Sequence, residues 1–231
     1  MTAQPALLAY AGALDDGRLD GLPLAGDPAA LALALGAQDP YTQGHGRRVA
    51  DYAARIAARI GLGAEEQDLV RTGGLLHDIG KIGFSRRLLS NRNARLTAGM
   101  RAEIRRHPEI GSALLKALGV ADAVVDCVRC HHERPDGSGY PFGLTAVDIP
   151  RSAQIISVAD CFDALTTDRP YQCGRETGHA LAIMRRMGPG VFPPELLSAL
   201  IDEVRQNGVL QHAVNVAPAA AQPLYSLGIP G

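Results

Sequence analysis

The sequence predicts an all-α single domain of roughly seven or more helices. Three observations lead there. Apolar residues recur at helical spacing in segment after segment, and no run alternates as a half-buried strand would. Aromatic residues make up only 4% of the 231-residue chain and Trp is absent, so the core must come from Leu, Ile, Val and Ala. Small side chains of that kind suit closely approaching helices.

The elements follow in order. Residues 1–27 are rich in Gly, Asp and Pro without sustained period and read as an irregular extension. Helical patterning starts at Asp27-Pro28, an N-cap followed by Pro at the first helical position. Residues 49–60 place Val49, Ala53, Ile56, Ala57 and Ile60 on one face, and Gly61 and Gly63 close the segment. Residues 64–77 open on Glu65 and Glu66, with Leu69, Val70 and Leu76 inward. A looser stretch covers 80–93. Residues 97–118 are helical with a break at His107-Pro108, because Pro is tolerated only in a first turn. Residues 120–132 form a further helix, and 134–143 are loop, rich in Gly and Pro. Small and β-branched residues dominate 150–165, as a helix buried at the centre requires, and 177–187 and 194–206 complete the pattern. The domain thus spans 28–208, with an Ala- and Pro-rich tail over 209–231.

Bulk composition excludes several classes. The formal net charge of −1 is not that of a protein that coats nucleic-acid polymers. Arg47-Arg48 and Arg105-Arg106 read as solvated helix faces unless they border a site. No Lys or Arg precedes Arg18, so a secretory signal is not expected, and no apolar run reaches the ~20 residues of a membrane span. The expected location is cytoplasmic. There Cys127, Cys130, Cys161 and Cys173 are buried thiols or metal ligands sooner than disulfides. Cys127-Val-Arg-Cys130-His131 matches the haem-attachment spacing, but that chemistry needs export.

Histidine carries the strongest signal. Of the seven His, five (His45, His77, His107, His131 and His132) sit beside Asp, Pro-Glu, Gly or another His. His77-Asp78 and His131-His132 are adjacent pairs, and neighbours on a helix differ by ~100° in direction, so one helix end can offer both to a metal pair. Asp160 interrupts an apolar helix, where an unpaired carboxylate is costly and a cation removes the cost. One His-Asp pair alone reads as a structural hydrogen bond; so many on separate segments read as a metal centre. Imidazole and carboxylate donors suit Fe or Mn, with Zn, Ni or Mg as alternatives. Lys81 and Arg169 are either solvated cations or phosphate-binding ones.

These segments spell a family. His77-Asp-Ile-Gly-Lys81, His107-Pro-Glu-Ile-Gly111, His131-His-Glu133 and Asp136-Gly-Ser-Gly-Tyr-Pro141 closely resemble HD-GYP domains. Gly143-Leu144, Ile149-Pro150, Ala159-Asp160, Phe162-Asp-Ala-Leu-Thr166 and Asp168-Arg-Pro-Tyr171 continue the likeness. Asp39-Pro-Tyr-Thr42, His45 and Arg47-Arg-Val49 match the family's opening motif, and the resemblance covers about residues 38 to 205. It implies a helical domain with the metal site at its centre, and hydrolysis of cyclic di-GMP to pGpG, and onward to GMP in some members, by a hydroxide bridging the metals. His77, Asp78, His107, His131, His132 and Asp160 resemble the metal ligands, and His45 a further ligand or site-lining residue. Three-metal members carry a Glu at the position of Tyr41, so two divalent ions are expected. By the same resemblance Asp78 orients or deprotonates water, Lys81 and Arg169 steady phosphates, and Tyr140 contacts substrate or packs its loop.

Three departures stand out. Gln154 and Gln172 occupy positions where the family usually has cations, and Phe192-Pro-Pro194 replaces Phe-Asp-Pro. Loss of a cation at 172 should weaken grip on a dianionic dinucleotide. It leaves two other classes open: a partner-binding module, for example for diguanylate cyclases (GGDEF proteins), and a phosphohydrolase of another nucleotide. No sensory domain is recognised, so regulation is expected from a partner, homodimerisation or metal supply.

Overall fold

A computed structural model of the chain describes residues 40–89, 96–168 and 173–209, and its regular elements are helices. They are α1 (Pro40–Arg59), α2 (Ala64–Leu76), a 3-10 turn (Ile79–Gly83), the single-turn α3 (Arg86–Leu89), α4 (Ala98–Arg105), α5 (His107–Ala117), α6 (Asp122–Cys130), α7 (Arg151–Thr166), α8 (Thr177–Met187) and α9 (Pro194–Asn207). No strand occurs among the described residues; one isolated bridge joins Asp136 to Thr145 within the loop before α7. The expected extension over 1–27, the start at Asp27-Pro28, nearly all of the tail, Arg169 and Gln172 lie outside the described residues.

The break at His107 falls where Pro demands it. Thr97 caps α4 by accepting a hydrogen bond from the Met100 amide at 3.2 Å. Arg106 ends that helix and α5 starts at once, with Pro108 in its first turn where a missing N–H costs nothing. α1 begins well before residue 49. Its first half is not apolar: His45 and Arg48 are buried there by polar partners.

α7 is the axis. From Ala153 to Leu165 almost every residue is buried, and α1, α2, α6, α8 and α9 all pack on it. One core, built on Val49, Tyr52, Ile56, Phe162, Met184 and Leu200, lies among α1, α7, α8 and α9. Tyr52 meets Phe162 edge-to-face at 5.2 Å, so truncating either ring should cost about 3–5 kcal/mol. A second core, with Leu76, Ile79, Leu114, Leu115 and Val128, joins α2 to α5 and α6. The C-terminal end of α2 lies between the two, and there the polar residues collect. No helix among the described residues is long and apolar enough to cross a membrane.

Two of the departures prove local. Gln154 is buried with its amide donating to the carbonyls of Ala146 and Ile149, both at 3.1 Å, so it ties the preceding turn to α7. Pro193 is the N-cap of α9, a position at which an Asp side chain would accept from the backbone amides and a Pro side chain cannot. Cys127, Cys130 and Cys161 are buried, Cys173 is exposed, and none of the four is in a disulfide. Burial pushes the Cys127 thiol up to about 11, so it stays protonated.

Candidate functional site

Helix ends bring the histidines together. His77 caps the C-terminus of α2 and Asp78 leads into the 3-10 turn. His107 opens α5, His131 caps α6 with His132 following it, and Asp160 and His45 come from within α7 and α1. The 3-10 turn can reach α5 only because residue 80 lacks a side chain: a Cβ on Gly80 would overlap the carbonyl of His107.

Three of the rings are oriented by one local device. His77 Nδ1 donates to the Gly74 carbonyl at 2.8 Å, His107 Nδ1 to Ile104 at 2.7 Å and His131 Nδ1 to Val128 at 2.7 Å, each reaching three residues back. A carbonyl only accepts, so Nδ1 carries the proton and Nε2 keeps its lone pair for a ligand. His45 is held differently. Its Nδ1 lies 2.7 Å from Asp163 Oδ2, and Asp163 in turn receives Arg48 Nε at 2.5 Å and Nη2 at 3.0 Å.

Two groups of ligand atoms result, each with all its atoms within 4.8 Å of one another: His45, His77 and Asp78, and His107, His131 and His132. Asp78 stands between them. Its Oδ2 is 3.3 Å from His77 Nε2 and 3.7 Å from His45 Nε2, while Oδ1 is 3.5 Å from His107 Nε2. Asp160 Oδ1 joins the first group, 3.1 Å from His45 Nε2 and 3.9 Å from His77 Nε2. That oxygen is fully buried and accepts no well-aligned hydrogen bond, a costly state that a bound cation relieves. The donor set therefore fits divalent metal ions.

The electrostatics differ across the site. Burial opposes charge on His45, yet the carboxylates of Asp160 and Asp163 outweigh it and raise the ring to about 9. At His107 burial prevails and lowers the ring to about 4. His131 and His132 are likewise held well below the ordinary range, by burial and by neighbouring imidazoles, His77 and His107 for the first and His131 and His107 for the second. Burial would raise Asp78, but Lys81 and His77 overcome it and keep the carboxyl well below its usual value. Lys81 Nζ donates to Asp78 Oδ2 at 2.5 Å.

The loop after α6 closes one side. Glu133, buried, accepts from the amides of Phe142 and Leu144 at 2.7 and 3.0 Å, and a Cβ on Gly139 would overlap the backbone of Glu133 and Arg134. The tight turn presents Tyr140, whose ring stacks on His132 at 4.7 Å and 27°.

Nine of the residues singled out from sequence thus meet around one point: His45, His77, Asp78, Lys81, His107, His131, His132, Tyr140 and Asp160. Arg169 lies outside the described residues. Asp163 and Arg48 were missed. Arg47 is exposed as a solvated face requires, but Arg48 is only 6% exposed and belongs to the site's outer layer. The available signal was a second acid on the buried helix, three residues after Asp160.

A family model described as HD domain matches residues 31–196. The chain is 35% identical over 171 residues to 3'3'-cGAMP-specific phosphodiesterase 3 of Vibrio cholerae, covering 74% of this chain and 37% of that one. It is 36% identical over 173 residues to a cyclic di-GMP phosphodiesterase response regulator of Xanthomonas campestris, covering 74% and 46%. A HDG"Y"P protein from Bdellovibrio bacteriovorus has the same fold, with TM-score 0.61 at 21% identity over 87% of this chain and 65% of that one. The chain spans less than half the length of these two curated relatives.

Proposed function

The chain belongs to the HD domain family, in its HD-GYP branch, and from that premise we propose that it is a metal-dependent phosphodiesterase acting on cyclic di-GMP. The observation that carries this reading is Asp78, whose two oxygens face two separate groups of imidazole ligands. One carboxylate between two such groups suits a pair of cations.

In this reading His45, His77, Asp78 and Asp160 would hold one divalent ion, and Asp78, His107, His131 and His132 would hold the other. Fe or Mn suits these donors best. Such ions supply Lewis acidity, activating water and neutralising phosphate charge. The protein's own groups do the rest. Lys81 keeps Asp78 ionised and has further N–H donors for a phosphate oxygen. Asp78 orients or accepts a proton from the attacking water, and Tyr140 walls the site on the His132 side. Arg169 supplies a second phosphate-binding cation. The products are pGpG and, on further hydrolysis, GMP.

A second substrate is favoured by a specific observation, the 35% identity to a relative named for 3'3'-cGAMP. Anaerobic purification, metal quantification and product chromatography with both cyclic dinucleotides test the proposal. The expected result is about two metals per chain and linear product from cyclic di-GMP. Bound metal with product from 3'3'-cGAMP alone would reassign the substrate. Absence of product from either would remove the enzymatic reading.

A further inference from the structure

Arg105 is the last residue of α4, and a cation there complements the helix C-terminus. That accounts for the charge but not for its position. The guanidinium carbon lies 4.6 Å from the centroid of the Tyr140 ring, and Tyr140 is itself stacked on His132 at 4.7 Å. A row of three side chains therefore runs from half-buried His132, at the edge of the ligand cluster, through buried Tyr140 to exposed Arg105, and that end is cationic. Arg105 remains exposed and has no acidic partner among the described residues. The other arginine seated over a ring makes a contrast. Arg129 lies 5.5 Å from the centroid of Phe142, and Asp126 neutralises it at 3.1 Å. At Arg105 the ring holds the guanidinium beside it while its N–H donors stay available for an anion.

A cyclic dinucleotide carries two phosphodiesters on opposite sides of its ring. When one enters the metal-ligand cluster, the other stands away from it and keeps its charge. We propose that Arg105 binds this second, non-scissile phosphate, an assignment that rests on the cyclic dinucleotide activity proposed above. Gln172 and Gln154 lack the charge for that task, and the Gln154 amide is already engaged by backbone carbonyls. Arg105 acts as a substrate-binding residue, and its contact is the same in ground and transition states. Its loss should therefore raise KM and leave kcat nearly intact.

The test compares the metal-loaded full chain with Arg105→Gln and Arg105→Lys. For Arg105→Gln, KM for cyclic di-GMP is expected to rise on the order of 10- to 100-fold, the worth of one charge-assisted hydrogen bond. Metal content and thermal midpoint should match the unsubstituted chain, and Arg105→Lys should recover part of the loss. The inhibition constant of GpG, which has the same bases but one phosphodiester, should not move. An equal rise for GpG would place Arg105 on a base or on the scissile phosphate and overturn the proposal, as would an unmoved KM for cyclic di-GMP. If the unsubstituted chain hydrolyses no cyclic dinucleotide, the proposed function itself falls and this assignment with it.

Discussion

On the side of α1 and α7, His45 is held by Asp163, which Arg48 holds in turn across more than a hundred residues of sequence. On the side of α5 and α6, His107 and His131 are held by carbonyls of the turn just before them. The first arrangement is charged and long-range; the second is neutral and local. The difference shows in the rings themselves, with His45 raised to about 9 by its carboxylates and His107 lowered to about 4 by burial. A cation entering the first group must displace the proton that His45 holds, whereas in the second group burial lowers all three imidazoles and favours the neutral form that a metal takes. Asp78 faces both groups.

The comparison is broken most severely at that shared point. Replacing both His77 and Asp78 with Ala should abolish metal binding and turnover, as read by metal analysis and product chromatography. Survival of either would mean that the cluster is not the metal centre. Next in size is the seam between the halves. Gly80→Ala should push α5 from the 3-10 turn and lower turnover on the order of 100-fold, the effect of moving a catalytic group by about an ångström. Circular dichroism should still show a helical protein, and undiminished turnover would mean that the two halves need not be held in register.

A finer change addresses the charged half alone. Asp163→Asn keeps the shape but weakens the anchor of His45, and affinity for the metal at that group should fall about 10- to 100-fold. Chelator competition should resolve one weakened site and one unaltered; two weakened equally would show that the halves are not separable.

The smallest effect is on metal-free stability. A raised His45 stabilises the fold fully below its unfolded value of 6.5, and that contribution is lost as pH climbs through about 9. A lowered His107 acts in the other direction, so stability falls as pH drops from 6.5 towards 4. The depressed carboxyls of Asp160 and Asp163 add to the acid loss at lower pH still. Chelated protein should be most stable near pH 6.5, with a loss of about 3 kcal/mol on either flank. Denaturant melts across that range would decide it, and a monotonic profile would contradict the contrast.

How much of this was readable from sequence depends on the range of the interaction. The helix break at His107-Pro108, the end of α1 just before Gly61 and the bounds of α8 follow from local chemistry and match the structure. The His and Asp residues stood out because their motifs are short. Whether Arg48 is solvated or borders a site stays open in the sequence, because a helical period tells which face a residue is on, not what covers that face. Glu133 lay inside a quoted motif without a role until the structure showed it accepting from two loop amides. Arg105 borders the site only because α4 ends beside a loop more than thirty residues further along.

By itself the sequence determined that this chain is helical, where most of its helices begin and end, and which side chains are fit to bind a metal. Those properties depend on residue type and on neighbours within a turn or two. Only the tertiary structure decided that Asp78 faces two groups rather than one, that Asp163 and Arg48 support His45, and that Arg105 crowns the stack on His132. Each of those facts joins segments far apart in the chain, and α7, buried on nearly all sides, is the element around which they meet.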